Sequence, residues 1–106
     1  IERGIASYER AVSLDPTRAR VRNNLAWLYA STGGSLDRAI EHATRAVAID
    51  AHHVHLDTLA LALYLKGDLA DAETAILRAL EAVPEDAEYK ARLADILSAR
   101  GEGEHE

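Results

Sequence analysis

Three histidines in four residues are the side chains whose types and spacing most suggest chemistry. Within residues 52–55, His52 and His55 share a face if the segment is helical, and paired imidazoles can bind zinc or copper. Asp50 or Asp57 would have to supply a third ligand. The segment falls in a predicted turn, so the sequence favours a solvated helix start over a metal site, with a pH-sensitive contact as the remaining alternative. We expect no metal and no cofactor.

The second group of side chains that could contact a ligand is basic. Arg18, Arg20 and Arg22 stand at alternate positions where a helix is predicted to begin, and positive charge there opposes the helix dipole. These side chains can grip an acidic ligand or pair with nearby carboxylates such as Glu9 and Asp15. The sequence contains no glycine-rich phosphate loop, no HExxH and no GxSxG, so we expect no enzymatic activity.

Composition limits the class of protein. The 106 residues suffice for one small domain, and the abundance of alanine and leucine with no phenylalanine indicates helices. There is no cysteine, and no apolar run approaches the roughly 20 residues of a membrane span. Residues 1–53 carry seven Arg and six Asp/Glu (+1), whereas residues 54–106 carry five Lys/Arg and twelve Asp/Glu (−7). This acidity argues against nucleic-acid binding. The sequence does not indicate a cellular compartment.

The sequence repeats itself with a period of 34 residues. Four series keep this step, and they combine a leucine, an alanine, a large apolar residue and a glycine. The series are Leu25, Leu59, Leu93; Ala26, Ala60, Ala94; Tyr29, Leu63, Leu97; and Gly33, Gly67, Gly101. Each unit therefore predicts two helices, placed at about 1–14, 18–32, 36–49, 53–66, 69–82 and 86–100. Ser35 and Asp68 are expected to cap helix starts, and Gly67 to end a helix in a left-handed conformation.

On these residues the chain resembles the tetratricopeptide repeat family. The matching positions on the first helix of a repeat are Leu25-Ala26…Tyr29 and Leu56…Leu59-Ala60…Leu63; those on the second helix are Ala39…Ala46 and Ala72…Ile76…Ala79…Pro84. Arg22 and Lys90 stand where the family often has an aromatic residue. The resemblance implies an all-α fold, a right-handed α-solenoid of antiparallel helix pairs with about six helices.

The resemblance also implies how the chain divides. We expect a single domain over 1–100, with a half repeat at 1–17, repeats at 18–52 and 53–85, a terminal helix at 86–100 and a disordered acidic tail at 101–106. Because the chain begins at Ile1 inside a helical pattern, we expect it to be a piece of a longer protein. Self-association through that end, giving a homo-oligomer, is a further expectation.

In this family the first helix of each repeat lines a concave groove, which here predicts an apolar floor of Trp27, Leu61 and Tyr64. The sequence leaves open whether Trp27 lies in the groove or packs inside the solenoid. The amides of Asn23 and Asn24 can hydrogen-bond a peptide backbone. The full set of predicted partner-binding residues is Arg20, Asn23, Asn24, Trp27, Asp57, Thr58, Leu61, Tyr64, Arg92 and Asp95.

Two functions follow from this interpretation. The first is a non-catalytic module that binds a protein or peptide partner in the groove. The second is a structural scaffold that self-associates or spaces domains in a larger assembly. A clamp for chaperone C-termini, which some members of the family build from Asn, Lys and Arg, is not expected, because Val54 and Thr58 stand where its basic residues would lie.

Overall fold

The computed structural model describes the backbone of residues 2–104 and the side chains of residues 3–101. Within that range the chain forms helices and no strand. The helices are α1 (Glu2–Leu14), α2 (Ala19–Ser31), α3 (Leu36–Ile49), α4 (His53–Lys66), α5 (Leu69–Ala82) and α6 (Ala87–Glu104). The predicted all-α helical-repeat fold is confirmed, and the predicted helix boundaries differ from these by one residue or less, except at the end of α6.

The turns between helices are formed by the residues expected there. The hydroxyl of Ser35 accepts a hydrogen bond from the backbone N–H of Arg38 at 3.2 Å, which caps α3 as predicted. Gly67 ends α4 with φ 94°, a left-handed conformation that a side chain would disfavour. Asp68 takes the N-cap position of α5, but its carboxylate accepts no capping hydrogen bond.

The helices pack as antiparallel neighbours along the chain, and alanine allows their close approach. Helix α2 packs on α3, α4 on α5, and each pair contacts the next through α3 and α4 or α5 and α6. Small residues with no exposed surface occupy these contacts: Ala26, Ala39, Ala43, Ala46, Ala60, Ala72 and Ala79. The largest side chains that are fully buried between the helices are Leu25, Ile76 and Ile96. Burial of an apolar stripe against a neighbouring helix is what stabilises a solenoid.

Helix α6 exposes the apolar residues whose counterparts on α2 and α4 are buried. Leu97 is 48% exposed, although Tyr29 and Leu63, at the same place in the earlier repeats, are each 7% exposed. Ala94 is exposed as well, whereas Ala26 and Ala60 are fully buried. The reason is geometric: α3 covers this stripe of residues on α2 and α5 covers it on α4, but no described helix follows α6.

The predicted disordered tail at 101–106 differs from the structure in its first part. Helix α6 continues through Gly101 to Glu104, and residues 105–106 lie outside the described residues. The turn just before the predicted tail is anchored, because a guanidinium nitrogen of Arg100 lies 3.1 Å from a carboxylate oxygen of Glu73 on α5. Extending a helix that is already formed costs less free energy than nucleating a new one. Composition alone does not reveal that anchor.

No helix in the described part of the chain combines the length and the apolar character needed to cross a membrane.

A buried arginine lies near the start of α2. Arg22 is buried, its Nε donates to the carbonyl oxygen of Pro16 at 2.8 Å, and its Nη1 lies 3.2 Å from Nδ1 of His42. Because a guanidinium only donates, Nδ1 of His42 must accept and is therefore unprotonated. The imidazole also stacks on Tyr29, with ring centroids 6.2 Å apart.

This contact predicts a pH dependence of stability. Burial, followed by the nearby Arg22 charge, lowers the pKa of His42 below its usual 6.5. Below pH 6.5 the unfolded chain therefore binds more protons at this residue than the folded chain, and the free energy of unfolding should fall as the pH falls. Other charged groups act on His42 more weakly: Glu41, Glu9 and Arg38.

The measurement is urea unfolding of the wild type and of His42→Gln at pH 7.5 and at pH 5.5. We expect the wild type to lose more stability than the variant between these two values. An equal loss in both proteins would contradict the assignment of this titration to His42.

Candidate functional site

The arrangement of helices identifies the inner surface of the array. Helices α2 and α4 contact each other, and so do α4 and α6. Among the described residues, α1, α3 and α5 make no such contacts with one another. When two layers of helices are stacked in a curved array, the layer whose helices lie closer together is on the concave side. Helices α2, α4 and α6 therefore line the concave surface, which we call the groove.

Trp27 is the most prominent side chain of the groove. It is 51% exposed, so contacts within the protein cover only about half of it. It borders an open cavity of about 390 Å³ between α2 and α4, which we call the Trp27 cavity. The walls of this cavity combine aromatic, aliphatic and polar groups: Tyr8, Asn23, Asn24, Trp27, Leu28, Val54, Asp57 and Thr58. A large apolar surface with polar groups at its edge suits a peptide side chain and its flanking backbone.

A second cavity, of about 700 Å³, lies beside the first at the N-terminal ends of α2 and α4; we call it the arginine cavity. Its walls are formed by Arg18, Ala19, Arg20, Asn23, Asn24, Ile49, Asp50, His52, Val54 and His55. Asn23, Asn24 and Val54 belong to both cavities. The two cavities are therefore neighbours along the groove, and one extended ligand can reach both.

Two of the predicted site residues are engaged with each other. Arg92 on α6 donates from Nε and Nη2 to the two carboxylate oxygens of Asp57 on α4, at 2.8 and 3.2 Å. Both side chains are mostly covered, and the hydrogen bond to Asp57 raises the pKa of Arg92. This pair links α4 to α6 and fixes the Asp57 carboxylate at the edge of the Trp27 cavity. Thr58 is buried there, and its hydroxyl donates to the carbonyl oxygen of Val54 at 3.2 Å.

The remaining predicted residues divide between the cavities and the protein interior. Arg20 is exposed in the wall of the arginine cavity, and Asp95 is exposed on α6.

Leu61 and Tyr64, predicted as groove floor, are half-buried and line neither cavity. Leu61 packs against a buried cluster that includes Leu25, and Tyr64 packs against one that includes Ile76. Helix α4 lies in the middle of the array, so its neighbours partly cover Leu61 and Tyr64, whereas Leu65 remains 46% exposed.

Some wall residues are not among those predicted as binding residues. Tyr8 comes from α1, and Ile49 and Asp50 come from the end of α3 and the turn that follows. The prediction considered one face of the first helix of each repeat and therefore could not include them. Arg18, His52 and His55 did carry a signal, since their side-chain types were conspicuous in the sequence, but nothing in the sequence placed them in one wall.

The three clustered histidines make separate hydrogen bonds. Nδ1 of His52 accepts from the backbone N–H of Val54 at 3.2 Å and caps α4. Nδ1 of His53 lies 2.8 Å from the hydroxyl oxygen of Tyr89, and Nδ1 of His55 lies 2.9 Å from the carbonyl oxygen of Asp50. Among the described residues no group of three His, Cys, Asp or Glu side chains is arranged to hold a metal ion. The positions of these histidines are accounted for by capping and by contacts between helices.

Comparison with solved structures shows the same fold in other proteins. The NMR structure of the first TPR domain of the human RPAP3 protein superposes with a TM-score of 0.87 at 22% identity, covering 95% of this chain and 80% of that one. The first TPR of Spaghetti (RPAP3) bound to the HSP90 peptide SRMEEVD gives 0.85 at 22% identity, covering 92% of this chain and 77% of that one. A search of curated protein sequences finds no match.

Family models give the classification. Two models described as tetratricopeptide repeat match this sequence, one over residues 34–102 and the other over residues 1–53. Together they span nearly the whole chain, and the first alone covers more than half of it. The chain belongs to the tetratricopeptide repeat family.

Proposed function

We propose that this chain is a non-catalytic interaction module that binds an extended peptide, or a segment of a partner protein, in its groove. The observation that carries the proposal is the half-exposed Trp27 beside the amide of Asn24 in an open cavity between two helices. Aromatic side chains of this kind often anchor interfaces, and an amide can donate to and accept from a peptide backbone. Domains of this family generally act as interaction modules without catalysis.

One structural neighbour supports the general part of this proposal, which is that the chain binds a peptide or a protein. The first TPR of Spaghetti (RPAP3), which has the same fold, is bound to a seven-residue peptide of HSP90. At 22% identity the likeness concerns the fold, so the ligand of this chain has to be found by experiment. The cavities of about 390 and 700 Å³ lie side by side and together accommodate several residues of an extended chain.

The experiment is selection from a displayed library of random 12-residue peptides. The wild-type chain should enrich a set of related peptides. The variant Trp27→Ala/Asn24→Ala, shown to be folded by circular dichroism, should not enrich them, because it lacks both the apolar anchor and the amide. Recovery of the same peptides by wild type and variant, or no enrichment by the wild type, would contradict binding in the groove.

A second candidate function, end-to-end self-assembly, is favoured by the exposed stripe on α6. Leu97 and Ala94 occupy positions that the next helix covers in the earlier repeats. Helix α1 has the pattern of a second helix of a repeat: one side of it packs on α2, and Ala6, Ser7 and Arg10 on other sides are exposed. Helix α1 of a second copy could therefore cover α6, giving a head-to-tail contact.

Light scattering tests this candidate. If the contact forms, the wild-type mass should rise with concentration between about 10 µM and 1 mM, and Leu97→Glu should remove the rise because a carboxylate would be buried in the contact. Leu77→Glu on α5, where the replaced leucine is similarly exposed, is the matched control. A monomeric mass at every concentration would eliminate self-assembly by this chain.

A further inference from the structure

The outer layer of the array contains a gap between two helices. Helices α3 and α5 both pack on α4, but among the described residues they make no contact with each other. Between them lies a cavity of about 380 Å³, which we call the outer cavity. Its walls include Ile40 and Thr44 on α3, Leu59 and Leu63 on α4, and Asp71 and Arg78 on α5. The outer cavity therefore lies on the opposite face from the groove, which α2, α4 and α6 line.

The equivalent gap one repeat earlier, between α1 and α3, is bridged by charged side chains. Nη1 of Arg38 on α3 lies 3.5 Å from Oε1 of Glu9 on α1. The same carboxylate accepts a hydrogen bond from the hydroxyl of Tyr29 on α2. The imidazole of His42 also lies in the wall of this gap. The fold can therefore tie two outer helices together through an ion pair.

The equivalent positions in the gap between α3 and α5 hold residues that cannot bridge it. The alignment follows the alanines of the second helices, which step by 35 residues from α1 to α3 and by 33 residues from α3 to α5. The replacements are Thr44 for Glu9, Asp71 for Arg38 and Ala75 for His42. A threonine and an aspartate form no ion pair, and alanine has a methyl group in place of the imidazole. In the described chain no ion pair joins α3 to α5.

The floor of the outer cavity is apolar. Leu63 and Ala75 are almost fully buried, whereas Ile40 and Leu59 are half-buried and keep surface that a ligand can cover. The volume of about 380 Å³ is at the small end of the range for binding sites and suits one large aliphatic side chain of a partner. Removing this apolar surface from water favours docking.

Charged side chains stand at the two ends of the apolar floor. Asp68 and Asp71 are exposed at the N-terminal end of α5, and Arg78 is exposed two turns further along. Within the part of the chain that the structure describes, none of the three has an oppositely charged side chain within 4.0 Å. Seven residues of helix span about 10 Å. The outer cavity therefore has an acidic end and a basic end about that far apart.

We propose that the outer cavity binds an amphipathic helix of a second protein. An aliphatic side chain of that helix enters between α3 and α5, a Lys or Arg meets Asp68 and Asp71, and an Asp or Glu meets Arg78. Residues seven apart on a helix share one face at the same spacing of about 10 Å, so a single helix can supply all three groups.

The charges of the outer cavity also set the direction of the bound helix. An acidic residue suits the N-terminal part of a helix and a basic residue the C-terminal part. With the base at Asp68 and Asp71, the partner helix runs antiparallel to α5. Its sequence should have an Asp or Glu, a Leu or Ile three or four residues later, and a Lys or Arg seven residues after the acid. A peptide in the groove does not compete with this helix, so the inference stands without the proposed groove function.

The test is selection from a displayed library of helical hairpins in which the exposed face of one helix is randomised. The wild-type chain should enrich helices with the order acidic, aliphatic, basic. These helices should bind Trp27→Ala/Asn24→Ala within threefold of their affinity for the wild type, because they do not use the groove. No enrichment, enrichment of helices without this order, or a larger loss on that variant would overturn the inference.

One variant rebuilds the bridge that the gap between α3 and α5 lacks. Thr44→Glu/Asp71→Arg places across this gap the pair that Glu9 and Arg38 form across the earlier one. Binding of the selected helices should weaken at least tenfold, while the midpoint of thermal unfolding should stay the same or rise. Asp95→Asn on α6 changes the net charge by the same amount at an exposed position and should change affinity less than threefold. Equal losses in the two variants would contradict binding in the outer cavity.

A second copy of the chain is the alternative occupant, and light scattering distinguishes it. The expected result is that wild type and Thr44→Glu/Asp71→Arg have the same mass at each concentration from about 10 µM to 1 mM. A wild-type mass that rises with concentration, together with a constant mass of the variant, would overturn the inference. The outer cavity would then be a contact between copies of this chain.

Discussion

Ile76→Ala is expected to lower the free energy of unfolding by about 2–5 kcal/mol, the range for truncating a fully buried isoleucine. Ile76 has no exposed surface and belongs to the core cluster that joins α4, α5 and α6. A domain of this size is stable by only about 5–15 kcal/mol, so the loss is a large fraction of the total. The midpoint of thermal unfolding should fall by about 10 °C or more.

The adjacent residue provides the matched control for Ile76. Leu77 lies on the same helix but is 42% exposed, so Leu77→Ala should cost at most about 1 kcal/mol. Both variants are compared with the wild type by urea unfolding followed by circular dichroism. Similar losses at the two positions would mean that α5 does not present Ile76 to the core.

Trp27→Ala is expected to weaken binding of the selected peptide by about 2 kcal/mol or more, which is roughly 30-fold in Kd. Trp27 borders the cavity between α2 and α4 with half of its surface open to solvent, so a ligand can cover that half. The free variant should remain folded and unfold cooperatively, since the side chain contributes only partly to the interior. Calorimetric titration of the peptide into each protein measures the effect.

Substitution of Tyr64 is expected to affect stability and to leave peptide binding nearly unchanged. The sequence grouped it with Trp27 as groove floor, but its ring packs against the core cluster of α4, α5 and α6 and lines neither cavity. Tyr64→Ala should therefore lower the midpoint of unfolding and weaken peptide binding less than about threefold. The reverse pattern, with stability retained and binding lost, would place Tyr64 in the binding surface.

The sequence predicted the helices well because each boundary has a local cause. Ser35 begins α3 and Gly67 ends α4 through hydrogen bonds and backbone geometry that involve only nearby residues. The 34-residue period likewise depends on which residues each helix must bury against the next, and it identified the repeat fold. Local chemistry and periodicity can be read without knowledge of the tertiary structure.

The parts that were not predicted depend on contacts between distant residues. The Arg92–Asp57 pair joins α6 to α4 across 35 positions of sequence, and Ile49 and Asp50 reach the cavity wall from a different layer than α2. On α6, the repeat pattern marked Ala94 and Leu97 as stripe residues, but Tyr89 and Ile96 are the ones buried. A stripe is buried only where a neighbouring helix covers it.

The most direct test of peptide binding in the groove is an NMR titration of the isotope-labelled chain with the selected peptide. The backbone amides whose resonances shift should lie in α2, around Asn23 and Trp27, and in the first half of α4, around Thr58. Amides of Thr44 and Arg78 on the outer helices should stay in place. Shifts concentrated on α3 and α5, or confined to the exposed stripe of α6, would contradict the proposed groove site.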